Sequence, residues 1–342
     1  MMVMAVTMTV MMMVSVTHAV HYSRLLTEFQ AHDSPLHMMT RAQYKKFAFG
    51  LLIYTILVIL WGAWVRISHS GDGCGDTWPL CNGQLIPEAQ RGKTWVEYGH
   101  RLMSGIYGFV VIYFYWAARK IYPVGHFARK AALATLVFMI TEALLGAKLV
   151  LFGLVTTNDT PYRAFIMALH QINSFILTGS VALAFAAATL SDTTPTPMPG
   201  YRKFKYLPLI IVILGITGAW ASLSNSLFPT DNLFEGFMAD LSTDSHFLVR
   251  LRGLHPLLAV LGAGSLALFF WLKSQSASHP LVQKKSAQMS GILILGILFG
   301  IGTLVFHAPT WMKVTHLCLA HVIWVTLLQW VFFMRNADKT PA

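Results

Sequence analysis

The chain has 342 residues, is 55% hydrophobic and 11% charged, and carries a formal net charge of +11. A soluble domain carries about 25% charged residues, so this composition excludes an ordinary water-soluble globule. The basic residues fall in alternate loops between apolar runs, which excludes a nucleic-acid partner and matches the positive-inside distribution of a polytopic membrane protein.

Residues 1–43 read as an N-terminal extension of unassigned role. Its apolar, Met-rich start has no basic residue ahead of it, unlike a secretory signal. Eight apolar runs follow, at 46–65, 95–118, 131–152, 162–190, 204–223, 246–272, 287–306 and 311–334. Runs of about 20 residues match a hydrocarbon core of about 30 Å. Arg41, Lys45 and Lys46 place the start of the first run in the cytoplasm. Arg119, Lys120, Arg129 and Lys130, then Arg202, Lys203 and Lys205, then Lys273, Lys284 and Lys285, mark the inner loops, and Arg335 and Lys339 an inner tail. The segments 67–93, 153–161, 224–245 and the turn after Phe306 fall outside. The third of these carries Asp231, Glu235, Asp240 and Asp244 without Lys or Arg and reads as a loop. The expected fold class is all-α, with eight transmembrane helices and both termini cytoplasmic, in a bacterial cytoplasmic membrane.

The two halves look like copies. The spacing from His100 to Trp116 equals that from His255 to Trp271, and each half has a second histidine on its fourth run, His170 and His316. This predicts two pseudo-repeated four-helix bundles, 44–192 and 204–335, joined by a Thr/Pro-rich linker at 193–203 and followed by a tail at 336–342. Both halves enter from the cytoplasm, so an axis along the membrane normal relates them.

All four histidines lie on even-numbered runs, roughly five to nine residues below the outer boundary, on the order of 8–13 Å deep at about 1.5 Å per residue. A single membrane histidine is more often a hydrogen-bonded packing residue. Four at matched depth point to axial ligands of haem iron, paired as His100 with His170 and His255 with His316. His321, five residues from His316, points to another face. His307 lies in a turn, and His69, His126, His246 and His279 fall at loops or helix ends, where a solvated role is the default.

Haem propionates are anionic and want basic partners. Arg163, two turns before His170, and Arg252, three residues before His255, are the candidates, with Arg66, Lys148 and Arg250 behind them. Glu97 lies one turn above His100 on the same face. It can pair with Arg101 or Lys148, or serve proton transfer beside a haem edge. Glu142 can pair with a polar group inside the bundle. Cys74 and Cys81 share one outer loop and can form one bridge on an oxidising side. Cys318 reads as a small buried apolar residue.

These residues resemble the haem A synthase family over nearly the whole chain from Phe47. The likeness is carried by Gly62-Ala-Trp-Val-Arg66-Ile-Ser-His-Ser-Gly71, the loop Cys74 to Gly83, and Glu97-Tyr-Gly-His100-Arg101. It continues through Glu142-Ala-Leu-Leu-Gly146, Leu169-His170-Gln171-Ile-Asn173 and Leu227-Phe-Pro229. It ends with Arg250-Leu-Arg252-Gly-Leu-His255-Pro256 and Thr315-His316-Leu-Cys-Leu-Ala320-His321. The Cys loop followed by Glu-x-x-His-Arg is the specific part. Lys148 and His321 depart from the family pattern, where small and acidic residues respectively are more usual.

The resemblance implies oxidation of the methyl at position 8 of haem O to a formyl group, giving haem A, by two hydroxylations and loss of water. It implies haem O between His100 and His170, a bound haem b between His255 and His316, a catalytic Glu97 and a Cys74–Cys81 disulfide. The partners it implies are haem O, the haem O synthase that makes it, an electron donor and membrane lipid, with a homo-oligomer left open. Two other readings stay open here: a di-haem b electron-transfer protein that oxidises quinol, which needs neither Glu97 nor the Cys loop, and a transporter.

Overall fold

The computed structural model describes residues 39–88, 91–188, 201–230 and 232–336. Most of the predicted N-terminal extension, linker and tail therefore lies outside the described residues, as does Asp231. The described residues from Thr40 onward form one compact unit.

The regular secondary structure of the described residues is all helical, apart from an isolated bridge between Cys81 and Gln84. The order is α1 (Arg41–Ile67), α2 (Gly92–Ile121), α3 (Phe127–Leu151), α4 (Pro161–Ala187), a 3₁₀ turn (Tyr201–Tyr206), α5 (Leu207–Leu227) and a short α6 (Leu233–Leu241). Then come α7 (Phe247–Ser276), α8 (Pro280–Val305) and α9 (Thr310–Asn336). Seven helical stretches are long and apolar enough to cross a membrane: α1, α3, α4, α5 with its leading turn, α7, α8 and α9. The protein is therefore a multi-pass membrane protein. Helix α2 covers the second predicted run and is 30 residues long. Its tyrosines, glycines and terminal charges lower its hydropathy, and it is not among the seven.

The boundaries follow local chemistry. Thr40 and Gln43 form a capping box at α1. Thr160 caps α4 ahead of Pro161, which suits the first turn because its missing N–H has no partner there. His126, His246 and His279, expected to be merely solvated, each cap a helix: Nδ1 accepts from the amide two residues on, at 3.2–3.3 Å. The outer segment 224–245 is not all loop. Asn232 accepts from the Glu235 amide and starts α6. The sixth run is not one regular helix. Gly253 interrupts it, and a π turn at Ala259–Ala263 follows Pro256, which has no N–H to give the ladder.

Helix α4 is central and packs against α1, α3, α5 and α9. Two thirds of its most apolar stretch is buried, against less than half for any other spanning stretch. Small residues allow this close approach. A Cβ at Gly179 would lie 2.5 Å from Leu328, and one at Gly215 would lie 2.2 Å from Phe175. Phe175, Phe270, Leu293, Trp324, Leu327 and Trp330 belong to one apolar cluster, and Trp324 Nε1 donates to the Phe175 carbonyl at 2.6 Å.

Candidate functional site: two histidine pairs

The first pair is built on α2 and α4. His100 lies against α1, where a Cβ at Gly62 would sit 2.9 Å from its Cε1. The imidazole thus occupies the space a side chain would fill. The next residues interlock in the opposite sense: Gly99 faces the Trp61 ring, and Trp61 Nε1 donates to the Val96 carbonyl at 2.9 Å. His170 lies close enough to His100 for a charge on one to act on the other. His170 is backed by α3, with Nδ1 3.4 Å from Glu142 Oε2. The Nδ1 atom of His100 is buried without a hydrogen-bond partner.

Glu97 and Arg101 bind the loop between α1 and α2 down onto α2. Glu97 Oε2 accepts from the Cys74 amide at 2.8 Å, and Oε1 takes Arg101 Nη2 at 2.6 Å and Nε at 3.1 Å. Arg101 Nη1 donates to the carbonyls of Thr77 and Leu80. Glu97 is 3% exposed, so the carboxylate is a buried group with both oxygens satisfied. Cys74 and Cys81 form a disulfide within this loop. Gly73 permits the contact, since a Cβ there would lie 2.5 Å from the Lys93 carbonyl oxygen.

The second pair is built on α7 and α9. The rings of His255 and His316 have centroids 6.2 Å apart and planes crossed at 76°. A first-row metal–imidazole bond is about 2 Å and the ring centroid lies about 1 Å further on, so two ligands opposed across one metal place their centroids about 6 Å apart. The pair has that spacing. Thr217 Oγ1 is 3.2 Å from His255 Nδ1, and Gly218 leaves room for the ring, its absent Cβ falling 3.0 Å from Cε1. His316 stacks on Phe299 at 7°, and a Cβ at Gly300 would lie 3.1 Å from its Cε1. Both histidines line a cavity of about 620 Å³, which Arg66, Gln171, Arg252 and Lys313 also reach. Pockets of about 300–1,000 Å³ are the usual size for cofactor-scale ligands. Three buried polar atoms of lining residues lack a protein partner: His316 Nδ1, Arg66 Nη1 and Gln171 Nε2. An amphipathic macrocycle with anionic arms fits this donor set.

The other predicted residues fall in distinct places. Arg163 donates through Nη1 to the carbonyls of Thr156 and Asn158, closing the α3–α4 turn, while its Nε is buried and unpartnered. Arg252 holds Asp240 of α6 at 2.6 Å and also donates to Asn225, Phe228 and Gly236. Arg66 Nη2 donates to Ser222 of α5 at 3.0 Å. Lys148 lies over the rings of Phe152 and Tyr162. His321, fully buried, meets Thr178 at 3.2 Å and the edge of Phe175. Among the residues not singled out from sequence are Gly218, Gly300, Thr217 and Lys313, and Gly62 stands there only as part of a motif and without a role. The glycines stand about one helix away in sequence from the histidines they face, and no local motif marks such a pairing.

The COX15-CtaA model, described as cytochrome oxidase assembly protein, matches residues 45–328. A Thermus thermophilus protein named protoheme IX farnesyltransferase is 37% identical over 302 residues, covering 86% of this chain and 48% of that protein. The chain thus spans about half the length of that relative. Heme A synthase of Shouchella clausii is 31% identical over 304 residues, covering 82% of this chain and 93% of the relative. Heme A synthase of Halalkalibacterium halodurans is 35% identical over 219 residues, covering 60% and 70% respectively. The match to the family model takes in both histidine pairs, Glu97 and the disulfide loop. The chain belongs to the COX15-CtaA family of cytochrome oxidase assembly proteins, the haem A synthase family.

Proposed function

We propose that this protein is a membrane haem A synthase. It oxidises the position-8 methyl of haem O to a formyl group by two hydroxylations and loss of water, giving haem A for terminal oxidases. The observation that carries this reading is the pairing of His255 with His316 at iron-ligand spacing across a cavity, in a chain of this family. His100 and His170 hold the substrate haem O, and His255 and His316 hold a resident haem b. Bound haem iron supplies the strong oxidant that hydroxylation of a methyl group requires.

The chain's own residues bind and orient. The Gly62, Gly218 and Gly300 gaps seat three of the imidazoles. Arg163, with its free Nε, faces a propionate, and Arg252, whose donors are taken by Asp240, Asn225, Phe228 and Gly236, braces the cavity edge and offers a propionate its charge alone. Glu97, one turn above His100, is the catalytic carboxylate, and its bond to the Cys74 amide keeps the disulfide loop over the substrate. Helix α2 acts as the eighth span, so that α1–α4 and α5–α9 form two pseudo-repeated bundles with both termini cytoplasmic in the bacterial inner membrane. The Thermus relative, named for farnesyl transfer to protohaem and about twice the length of the match, supports a haem O synthase as a neighbour.

The test is expression in cells that make haem O but no haem A, followed by pigment extraction. Haem A should appear, and the purified protein should hold haem b beside haem O or haem A. His255→Ala should lose the haem b and keep the other pigment. Extracts with unmodified haem b alone would reject the enzyme reading and leave an electron carrier.

A further inference from the structure

Glu142 is a carboxylate inside a membrane-spanning helix, where an ionisable group is costly and is kept only with partners. It lies within the described apolar stretch of α3, away from both helix ends. Its partners are complete. Oε2 accepts from Asn173 Nδ2 at 2.6 Å and lies 3.4 Å from His170 Nδ1, and Oε1 accepts from Ser174 Oγ. Asn173 is itself fixed, donating to the Phe138 carbonyl and accepting from Thr141. The carboxylate is therefore held in one place, and its negative charge also reaches His100, Tyr107 and His321.

The second pair has no counterpart. Glu142 and Gly146 are four residues apart on α3, and Gly296 and Gly300 are four apart on α8. Gly300 faces His316, and Gly296, one turn before it, packs against Ile323; among the described residues no carboxylate lies beside either histidine of this pair. Neither His316 Nδ1 nor His170 Nδ1 makes a hydrogen bond of ordinary geometry, but His170 Nδ1 has the Glu142 carboxylate 3.4 Å away, whereas the His316 ring is held by stacking on Phe299. His255 Nδ1 meets only the neutral Thr217 hydroxyl.

We propose that Glu142 is a positioning residue for His170: it fixes the ring with Nδ1 toward the carboxylate and Nε2 toward the substrate, and makes this imidazole the most electron-rich of the four. The proposal rests on the reading of His170 as a haem ligand. A carboxylate behind a ligating imidazole orients it and raises its basicity, and such outer partners of the ligand are one of the means by which a protein sets a haem potential. The stronger donor favours the ferric over the ferrous state. The haem of the first pair therefore has the lower reduction potential, so an electron arriving at the protein resides first at the second pair.

The test is a redox titration of the purified protein, followed by visible spectra, with Glu142→Gln, Glu142→Asp and His170→Ala. Glu142→Gln keeps the shape and removes the charge. It should shift the midpoint of the low-potential haem upward and leave the other unchanged, while Glu142→Asp should stay close to the starting protein. Two unchanged midpoints in Glu142→Gln with full haem content would overturn the proposal. So would loss of the first haem from Gln and Asp variants alike, which would mark a packing role. Full content and an unaltered spectrum in His170→Ala would instead overturn the ligand reading, independently of Glu142.

Discussion

Glu97 and the histidine-facing glycines are the residues whose replacement separates chemistry from packing. Glu97→Ala strands the Arg101 guanidinium and the Cys74 amide in a buried place, and removing one partner of a buried pair costs about 3–5 kcal/mol. The more telling variant is Glu97→Gln, which keeps an acceptor for the Cys74 amide. We expect it to retain haem b while haem O accumulates, read by pigment extraction; a normal haem A yield would remove Glu97 from the chemistry. Gly62→Ala puts a methyl 2.9 Å from the His100 ring. Overpacking of this kind costs about 1–3 kcal/mol, so haem occupancy at the first pair should fall while the spectrum of the second is unchanged. The histidines and Glu97 stood out in the sequence because each is a polar group at odds with its apolar surroundings, and Cys74 and Cys81 because they share one short loop. The glycines and Thr217 were not, because their meaning lies in a neighbour on another helix. The Glu142–His170 pair was half legible: the carboxylate was conspicuous, but not its partner.

The elements were read from charge and hydropathy, and those signals fail where a short amphipathic piece lies beside the membrane. Helix α6 was taken for loop because its acidic residues dominated the reading. Its exposed Phe234, Phe237, Met238 and Leu241 follow helical spacing, and Asp240 on the other side pairs with Arg252. Arg252→Ala leaves Asp240, 16% exposed, without its cation. We expect a loss of about 3–5 kcal/mol and faster proteolytic cleavage between α5 and α7 in purified protein. The breaks at Gly253 and Ala259–Ala263 escaped the sequence reading because a run of apolar residues does not reveal its hydrogen-bond register. The outer loop is held at two levels, by Glu97 and Arg101 and by the Cys74–Cys81 bond. Closing a loop of this length contributes about 2–3 kcal/mol. Cys74→Ser should lower the melting temperature of the purified protein, with Cys81 becoming reactive to a thiol reagent.

For the whole molecule, the alternation of basic loops predicts eight runs and their direction; described helices overlap all eight runs, and seven helical stretches are long and apolar enough to cross a membrane. Whether α2 crosses the membrane decides between seven and eight passes. Single cysteines at Leu85 and Val124, both highly exposed, settle this in a background with the free Cys318 replaced. Leu85→Cys should react with an impermeant reagent added to whole spheroplasts, and Val124→Cys only after lysis. Reaction of both from outside would remove α2 as a span. Packing between the halves was beyond sequence reading, since it depends on how α4 is turned about its axis. That rotation has an effect of its own. His170 lies within electrostatic reach of His100, while the next residue, Gln171, and Phe175 one turn on line the cavity of His255 and His316. Helix α4 is thus a party wall between the first histidine pair and that cavity. Any twist that shifts His170 also shifts the cavity wall within a single residue step, so the two sides must be remodelled together.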